Sequence, residues 1–134
     1  MGYWLTKQEP SAYSFDDLRR EGRTMWDGVH NNLALKHMRQ MRKGDKAIFY
    51  HTGGERQAMG IMSIISDPYP NPEEENPRFI VVDVEYDSAF AKPVTLEDMK
   101  MRPDFAQWEL LRISRLSVMP VPDNIWDAIM SMSR

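Results

Sequence analysis

Residues 45–65, DKAIFYHTGGERQAMGIMSII, carry the strongest fold signal in the chain. Two apolar runs, DKAIFYHT and QAMGIMSII, are typical of strands, and Gly53-Gly54 between them favours a hairpin turn. This stretch therefore predicts a pair of adjacent strands. The sequence on either side must supply the rest of a sheet and the elements that cover it.

Three further strands are predicted outside this hairpin. RFIVVDVEY (78–86) is the clearest, GYWLTK (2–7) is the first in the chain, and RLSVMPVP (115–122) is the last. Pro120 and Pro122 restrict the last strand to a sheet edge or a strand end, because proline cannot donate a backbone hydrogen bond. The segment DPYPNPEEENP (67–77) is rich in proline and acids and is not expected to pair in a sheet.

Helical segments are predicted around these strands. SFDDLRREG (14–22) has a capping pair in Ser14 and Asp17 and a stop at Gly22, and PVTLEDMKM (93–101) has a similar pair in Thr95 and Asp98. NLALKHMRQMRKG (32–44) predicts a basic helix with Gly44 as its cap, and WELL (108–111) predicts a turn or short helix. DNIWDAIMSM (123–132) predicts an amphipathic helix capped by Asp123.

The order of these elements favours one fold class. The strands outnumber the helices and do not alternate with them, which argues for α+β rather than a doubly wound sheet. A small, curved, mostly antiparallel β-barrel with peripheral helices fits best. The chain has 134 residues and shows no repeat, linker or low-complexity segment, so a single domain over 1–134 is predicted.

Composition excludes several kinds of site. The chain has no cysteine, so thiolate nucleophiles, zinc–thiolate sites and disulfides are ruled out. Its start, MGYWLTKQEP, lacks the basic and apolar regions of a targeting signal, and no apolar stretch is long enough to span a bilayer. We therefore expect a cytoplasmic protein without a membrane partner.

Charge is divided unevenly along the chain. The net charge is −3, yet residues 19–46 carry eight basic residues against three acids, and residues 67–109 carry eleven acids against four basic residues. Such a division can direct one basic face towards a polyanion while another face keeps the protein soluble. Taken alone, the charge distribution favours two solvated surfaces without a partner.

Most catalytic and cofactor motifs are absent from the sequence. His30, His37 and His51 are the only histidines, and none stands in an HExxH pairing. The glycines of TGGERQAMG (52–60) match neither phosphate-binding pattern, and no GxSxG elbow is present. We therefore expect no obligate metal, no cofactor and no hydrolase triad.

One segment, TMWDGVHNN (24–32), combines a tryptophan, a turn dipeptide and polar side chains. Trp4, Trp26, Tyr50 and His51 also lie at strand ends or turns, whereas Trp108 lies with Trp126 in helical patterns typical of a core. A pocket that stacks a flat base between aromatic walls and contacts its edge with amides needs this mixture. For each aromatic residue taken singly, core packing is favoured, and only their combination with the basic segment supports a pocket.

Several motifs in order identify a family resemblance. They are YWLTKQEP (3–10) followed by SFDDL, WDGVHNNLALKHMRQMRKGD (26–45), FYHTG (49–53), YPNP (69–72) and SRLSVMPV (114–121). Together they resemble the EVE domain family of the PUA-like superfamily, over nearly the whole chain. The resemblance implies a curved β-barrel with peripheral helices and a domain that binds nucleic acid, with a modified base held in a pocket. The base modification, the choice of DNA or RNA and the oligomeric state remain open.

Matching the motifs position by position gives a predicted ligand site, and the basic segment supplies a predicted phosphate-binding set. The ligand site comprises Trp4, Lys7, Glu9, Trp26, Asp27, Gly28, Val29, Asn31, Tyr50, His51, Ser114, Arg115, Leu116 and Ser117. The phosphate contacts are Lys36, Arg39, Arg42 and Lys43. The chain departs from the family pattern at His30, where arginine is usual, and at Asn32, Leu33 and Leu35. His30 adds positive charge only at acid pH.

Three hypotheses follow. A non-enzymatic reader would stack the modified base, with His51, Asn31 or Ser117 at its edge and phosphates on the basic segment. A hydrolase would act on an acylated nucleoside with Lys7, Glu9 and Thr52, which could be assembled as in ASCH-type relatives. A plain interaction module would hold Trp4 and Trp26 as core residues without an adjoining cavity. The first is preferred, because Lys7 and Glu9 also fit a simple ion pair.

Overall fold

The computed structural model describes residues 2–134, which form seven strands, five α-helices and one 3-10 turn. The strands are β1 (Tyr3–Gln8), β2 (Arg23–Trp26), β3 (Lys46–His51), β4 (Gln57–Ile64), β5 (Tyr69–Pro70), β6 (Ile80–Thr95) and β7 (Val118–Pro120). The helices are α1 (Phe15–Glu21), α2 (Asn32–Met38), α3 (Leu96–Lys100), α4 (Glu109–Arg112) and α5 (Asp123–Met132), and the 3-10 turn covers Pro103–Phe105.

The strands form one mixed sheet that curls into a half-barrel. Its order is β2-β6-β4-β3-β1-β7, and β5 pairs with the start of β6. Every pairing is antiparallel except β1 with β3. Register shifts interrupt β3 at Phe49/Tyr50 and β4 on either side of Gly60, and such bulges increase the bend of a sheet. The α+β class and the curved, mostly antiparallel sheet are thus confirmed.

Gly60 shows how tightly the curved sheet packs against α1. A Cβ atom at this position would lie 2.4 Å from the ring of Phe15 and 2.5 Å from the backbone oxygen of Ser88. Only a residue without a side chain fits there. The Phe15 ring meets the ring of Phe49 edge-on at 5.3 Å, so α1 closes over the core at the bulge.

The sheet contains more strand than the sequence predicts. β2 was not predicted, and it pairs with β6 from Arg23↔Glu85 to Trp26↔Val82. β6 runs for 16 residues and continues well beyond the predicted segment, 78–86. The prediction that residues 67–77 do not pair is wrong, because Tyr69 pairs with Val81 and Pro70 with Ile80. Conversely, the predicted strand over 115–122 is ordered as a strand only at Val118–Pro120.

The helix caps are mostly those predicted. Ser14 and Asp17 form a reciprocal capping box on α1, and Thr95 accepts a hydrogen bond from the Asp98 amide at the start of α3. Two predicted ends are wrong. α2 ends at Met38, several residues before Gly44, and the N-cap of α5 is Pro122 rather than Asp123.

The core lies between the concave sheet and the helices. Trp108 and Trp126 are both buried, as predicted. Trp108 donates from Nε1 to the Pro120 oxygen at 2.9 Å, and Trp126 stacks on Tyr3 with 4.1 Å between ring centroids. Within residues 2–134, no helix has the length and apolar character needed to cross a membrane.

Candidate functional site

A cavity of about 540 Å³ opens beside Trp26, and we call it the Trp26 cavity. Three chain segments form its walls: β1 with the turn after it, β2 with the loop that follows, and the residue before β7. The lining residues are Lys7, Gln8, Ala12, Tyr13, Thr24, Met25, Trp26, Asp27, Gly28, Val29 and Ser117. Six of them belong to the predicted ligand site: Lys7, Trp26, Asp27, Gly28, Val29 and Ser117.

Trp26 is both a core residue and a wall of this cavity. Its side chain is almost fully buried, and its ring meets the ring of Phe49 at 90° with centroids 5.3 Å apart. Pairing with Val82 fixes its backbone in the sheet. Gly28, at φ 78°, then turns the chain towards α2. The indole is therefore held rigidly before any ligand binds.

Lys7 borders the cavity and carries a half-buried cation. Its Nζ donates to the backbone oxygen of Ser114 at 3.0 Å, and its backbone N–H donates to the oxygen of Ser117 at 2.9 Å. Burial lowers the pKa of Lys7 below its ordinary value. Asp27 lies on the exposed side of the same cavity, so the lining offers both a donor and an acceptor to a ligand.

A second cavity, of about 310 Å³, lies on the other side of Lys7, and we call it the Tyr50 cavity. Its lining comprises Lys7, Tyr50, Thr52, Gly53, Arg56, Leu96, Lys100, Leu110 and Ser114. Burial raises the pKa of Tyr50 to about 12, although the charge of Arg56 acts in the opposite direction. Tyr50 and Ser114 therefore line a different cavity from Trp26 and Ser117, and Lys7 lines both cavities.

Trp4 is placed outside both cavities. Its indole is 6% exposed, and Nε1 donates to Oδ2 of Asp45 at 3.0 Å. Asp45 also accepts from the backbone N–H groups of Gly2 and Arg42, at 2.9 and 3.0 Å. Burial alone would raise the pKa of Asp45, but these hydrogen bonds together hold it below its ordinary value. Trp4 is thus part of a buried link between β1 and the turn before β3.

His51 and Asn31 cap helices rather than facing a cavity. Nε2 of His51 accepts the backbone N–H of Phe15 at 3.0 Å, and Nδ1 lies 3.0 Å from Oε1 of Glu55. The side-chain oxygen of Asn31 accepts the N–H of Ala34 at 3.0 Å and starts α2. The structure therefore does not place these two residues at the edge of a base.

The other predicted ligand residues are divided between the rim and the core. Glu9 is exposed, and its Oε2 lies 3.4 Å from Oγ1 of Thr52, beside the Tyr50 cavity. Leu116 is buried in the core, and Arg115 is exposed outside both linings. No ion pair joins Lys7 to Glu9 in the part of the chain that the structure describes.

The four predicted phosphate contacts, Lys36, Arg39, Arg42 and Lys43, form an exposed basic group on α2 and the turn after it, which we call the α2 basic group. None of the four lines either cavity. Arg39 donates to the backbone oxygen of Arg78 at 3.1 Å. His30, nearby in the chain, contacts Glu74 at 3.0 Å and packs on the ring of Phe79.

Five lining residues of the Trp26 cavity were missed by the sequence reasoning: Gln8, Ala12, Tyr13, Thr24 and Met25. Thr24 and Met25 belong to β2, the strand that was not predicted, so their orientation could not be anticipated. Among residues 2–134, no three side chains of the metal-binding types cluster closely enough to hold a metal ion.

The chain is similar to proteins of known structure over its full length. A protein of Rhodopseudomonas palustris, solved by NMR, is 38% identical, with 99% of this chain and 93% of that chain covered and a TM-score of 0.94. Human THYN1, in a crystal structure with DNA containing 5-methylcytosine, is 26% identical, with 100% and 98% covered and a TM-score of 0.91. An ASCH protein of Zymomonas mobilis, 9% identical with a TM-score of 0.61, shares the fold alone.

Sequence comparisons agree with these structural matches. Rat thymocyte nuclear protein 1 is 27% identical over 97% of this chain and 73% of its own length. The family model of the EVE domain matches residues 2–132. The chain therefore belongs to the EVE domain family.

Proposed function

We propose that this chain binds nucleic acid and takes a modified base into the Trp26 cavity. The observation that carries the proposal is this cavity, bordered by a rigid indole, in a chain that matches the THYN1 structure with 5-methylcytosine DNA over its whole length. A base can enter such a cavity only from a single strand or after it leaves the duplex stack.

The size and lining of the cavity support a base as its ligand. Its volume of about 540 Å³ lies within the range of small-molecule sites, roughly 300–1,000 Å³. Trp26 borders the cavity at 4% exposure, and a base that stacks on an aromatic side chain gains about 1–3 kcal/mol. Met25 and Val29 add an apolar surface against which a base methyl group could pack. An interaction module without a cavity is less well supported, because the buried Trp26 borders open space.

Two charged groups in the lining suit the polar edge of a cytosine-type base. The Asp27 carboxylate can accept from an exocyclic amino group, and the Lys7 ammonium can donate to a ring carbonyl oxygen. A site built to pair with such groups rejects a base that lacks them, since its own polar groups would then be left unpaired. The α2 basic group would contact the flanking phosphates and add affinity without base preference.

The test is a binding titration with matched oligonucleotides at one fixed salt concentration. Single-stranded and duplex DNA, and the same sequences as RNA, would carry either one 5-methylcytosine or one cytosine. We expect tighter binding to the modified strand. Asp27→Asn should weaken binding by about tenfold, as expected for the loss of a charged hydrogen bond of about 1.4 kcal/mol.

A matched control is available for the Asp27 variant. Asp123 is exposed at the start of α5 and lines neither cavity, so Asp123→Asn should leave the binding unchanged. Equal affinity for modified and unmodified strands, or equal effects of the two Asp→Asn variants, would contradict the proposal.

A second candidate is hydrolysis of an acylated nucleoside. It is favoured by one observation: Lys7 and Thr52 line the same cavity, and Glu9 contacts Thr52. A lysine whose pKa is lowered by burial can assist proton transfer. Incubation with an acylated nucleoside should then release the free acid, and Thr52→Val should abolish the release. Absence of turnover by the unaltered protein would exclude this candidate.

A further inference from the structure

The Tyr50 cavity carries three positive charges and no carboxylate in its lining. Lys7, Arg56 and Lys100 come from three different elements: β1, the β3–β4 loop and the end of α3. No carboxylate in residues 2–134 lies within ion-pair distance of any of the three. Three positively charged side chains therefore border one cavity, and two of them, Arg56 and Lys100, are exposed.

The backbone of Arg56 has a fixed, unusual conformation. It is the only non-glycine residue with positive φ, at 46°, in the part of the chain that the structure describes. Its carbonyl oxygen accepts the N–H of Leu96 at 2.9 Å, which ties the hairpin loop to the start of α3. A strained backbone conformation of this kind persists where the surroundings fix it, and it is enriched at ligand-binding sites.

Lys7 has only a neutral partner on this side. Its Nζ donates to the carbonyl oxygen of Ser114, so at least one further N–H is free to meet a ligand. Burial is the cause that lowers its pKa, and no neighbouring carboxylate offsets that burial. Tyr50 and Ser114 place hydroxyl groups in the same lining, and each can donate a hydrogen bond to an anionic oxygen.

The acids closest to this cavity lie at its margin. Glu9 contacts Thr52 and borders Gly53 from outside the lining, while Glu55 and Glu97 line a neighbouring depression together with Arg56 and Lys100. None of these three acids belongs to the lining of the Tyr50 cavity itself. An anion that enters would meet the three cations and the hydroxyl groups.

We propose that the Tyr50 cavity binds a phosphate group between Lys7, Arg56 and Lys100. Lys7 also lines the Trp26 cavity, so one nucleotide can place its base on one side of this residue and a phosphate on the other. The inference that the bound phosphate belongs to a nucleic acid rests on the proposed function. Binding of a free phosphate group does not, and the two sources can be told apart by experiment.

The first measurement uses inorganic phosphate and the unaltered chain. In an NMR titration, the backbone amide signals of Thr52 and Gly53 should shift and then saturate as phosphate is added. The same signals should not saturate in Arg56→Gln/Lys100→Gln. Chloride added to equal ionic strength is the control for general screening.

The second measurement is the salt dependence of oligonucleotide binding. Each lost phosphate contact should reduce the slope of log affinity against log salt by about 1. We expect this reduction for Arg56→Gln and for Lys100→Gln. Lys92→Gln removes an exposed lysine from β6 that lines neither cavity, and it should leave the slope unchanged.

The outcomes separate this inference from the proposed function. A reduced slope assigns the site to backbone phosphate, and saturable shifts with an unchanged slope assign it to a free phosphate group. The inference would be overturned if the slope is not reduced and the shifts do not saturate, even if the preference for a modified base persists. Conversely, loss of that preference contradicts the base-binding proposal alone.

Discussion

The backbone N–H of Phe15 donates to Nε2 of His51 across 3.0 Å. Phe15 is the first residue of α1, and its N–H has no partner within the helix. Because Nε2 accepts this bond, it carries no proton, so the proton lies on Nδ1, which faces Glu55. The last residue of β3 thus fixes both the start of α1 and its own tautomer.

Replacement of His51 should therefore destabilise the fold rather than alter base preference. His51→Ala leaves a buried N–H without an acceptor, which we expect to lower the free energy of unfolding by about 2 kcal/mol. His51→Gln can place an amide oxygen near the position of Nε2 and should recover most of this loss. Urea unfolding measures both variants. An equal loss in both would show that packing, not the hydrogen bond, is responsible.

Asp45 should make stability depend on pH in the acid range. Its pKa in the folded protein lies below the ordinary value of 3.8, so the folded state holds the proton less tightly than the unfolded state. The stabilisation that ionised Asp45 gives to the folded state is complete at pH values above its ordinary pKa. It is lost as the pH falls through the pKa of Asp45 in the folded protein. Unfolding by urea at a series of pH values should show the loss.

Asp45→Asn provides the comparison for this pH effect. It retains the shape of the side chain but removes the titrating group, so this part of the acid dependence should disappear. At neutral pH the variant should be less stable by about 2 kcal/mol, because an amide cannot accept from all three donors. An unchanged acid dependence would assign the effect to other carboxylates.

Gly60→Ala should be strongly destabilising. The added Cβ would lie 2.5 Å from the Ser88 backbone oxygen and even closer to the ring of Phe15. Overpacking of this kind costs about 1–3 kcal/mol. Gly54→Ala is the matched control, since nothing lies within 4 Å of its Cβ position and its φ is not positive. Thermal unfolding should show a lower Tm for Gly60→Ala alone.

Lys7→Met should stabilise the protein while weakening its binding to nucleic acid. The pKa of Lys7 is lower in the folded state than its ordinary value of 10.5. The unfolded state therefore binds more protons between these two values, and stability rises with pH through that window. Methionine keeps the apolar length of the side chain and removes the buried charge. A variant with unchanged stability and unchanged affinity would show that Lys7 is solvated and unused.

Trp26 should influence both stability and binding, and two substitutions separate the effects. Trp26→Ala opens a cavity in the core and should cost about 3–5 kcal/mol. Trp26→Phe keeps an aromatic ring against Phe49 and should remain folded, with weaker binding of the modified strand because the stacking surface is smaller. Full affinity in a folded Trp26→Phe variant would show that the indole does not contact the base.

Local sequence signals were sufficient for much of the fold. The hairpin of β3 and β4 and the caps at Ser14 and Thr95 depend on residues close together in the chain, and all were predicted correctly. β2 was missed because its four residues alternate only weakly between exposed and buried, and its partner in β6 lies far along the sequence. The second half of β6 is largely exposed, so it lacks the apolar signal on which the prediction relied.

The candidate site could be predicted only in part for the same reason. Trp26 and Lys7 belong to motifs that carry the family resemblance, and both line a cavity. Trp4 and His51 belong to motifs of the same kind, yet each binds a partner distant in sequence, Asp45 and the Phe15 amide. A motif shows which residues recur in a family, but it does not show whether they face a ligand or the protein interior.

The position of β1 between β3 and β7 has a consequence for how the protein is made. During synthesis, β1 can pair with β3 early, but its other edge gains a partner only when Val118–Pro120 has emerged. Until then the nascent chain presents an open, apolar strand edge, which is a site for aggregation. Ser114 and Ser117 arrive at the same stage and complete the two cavities. A partly made chain thus has neither a complete sheet nor a finished cavity, so both are completed at the same step of synthesis.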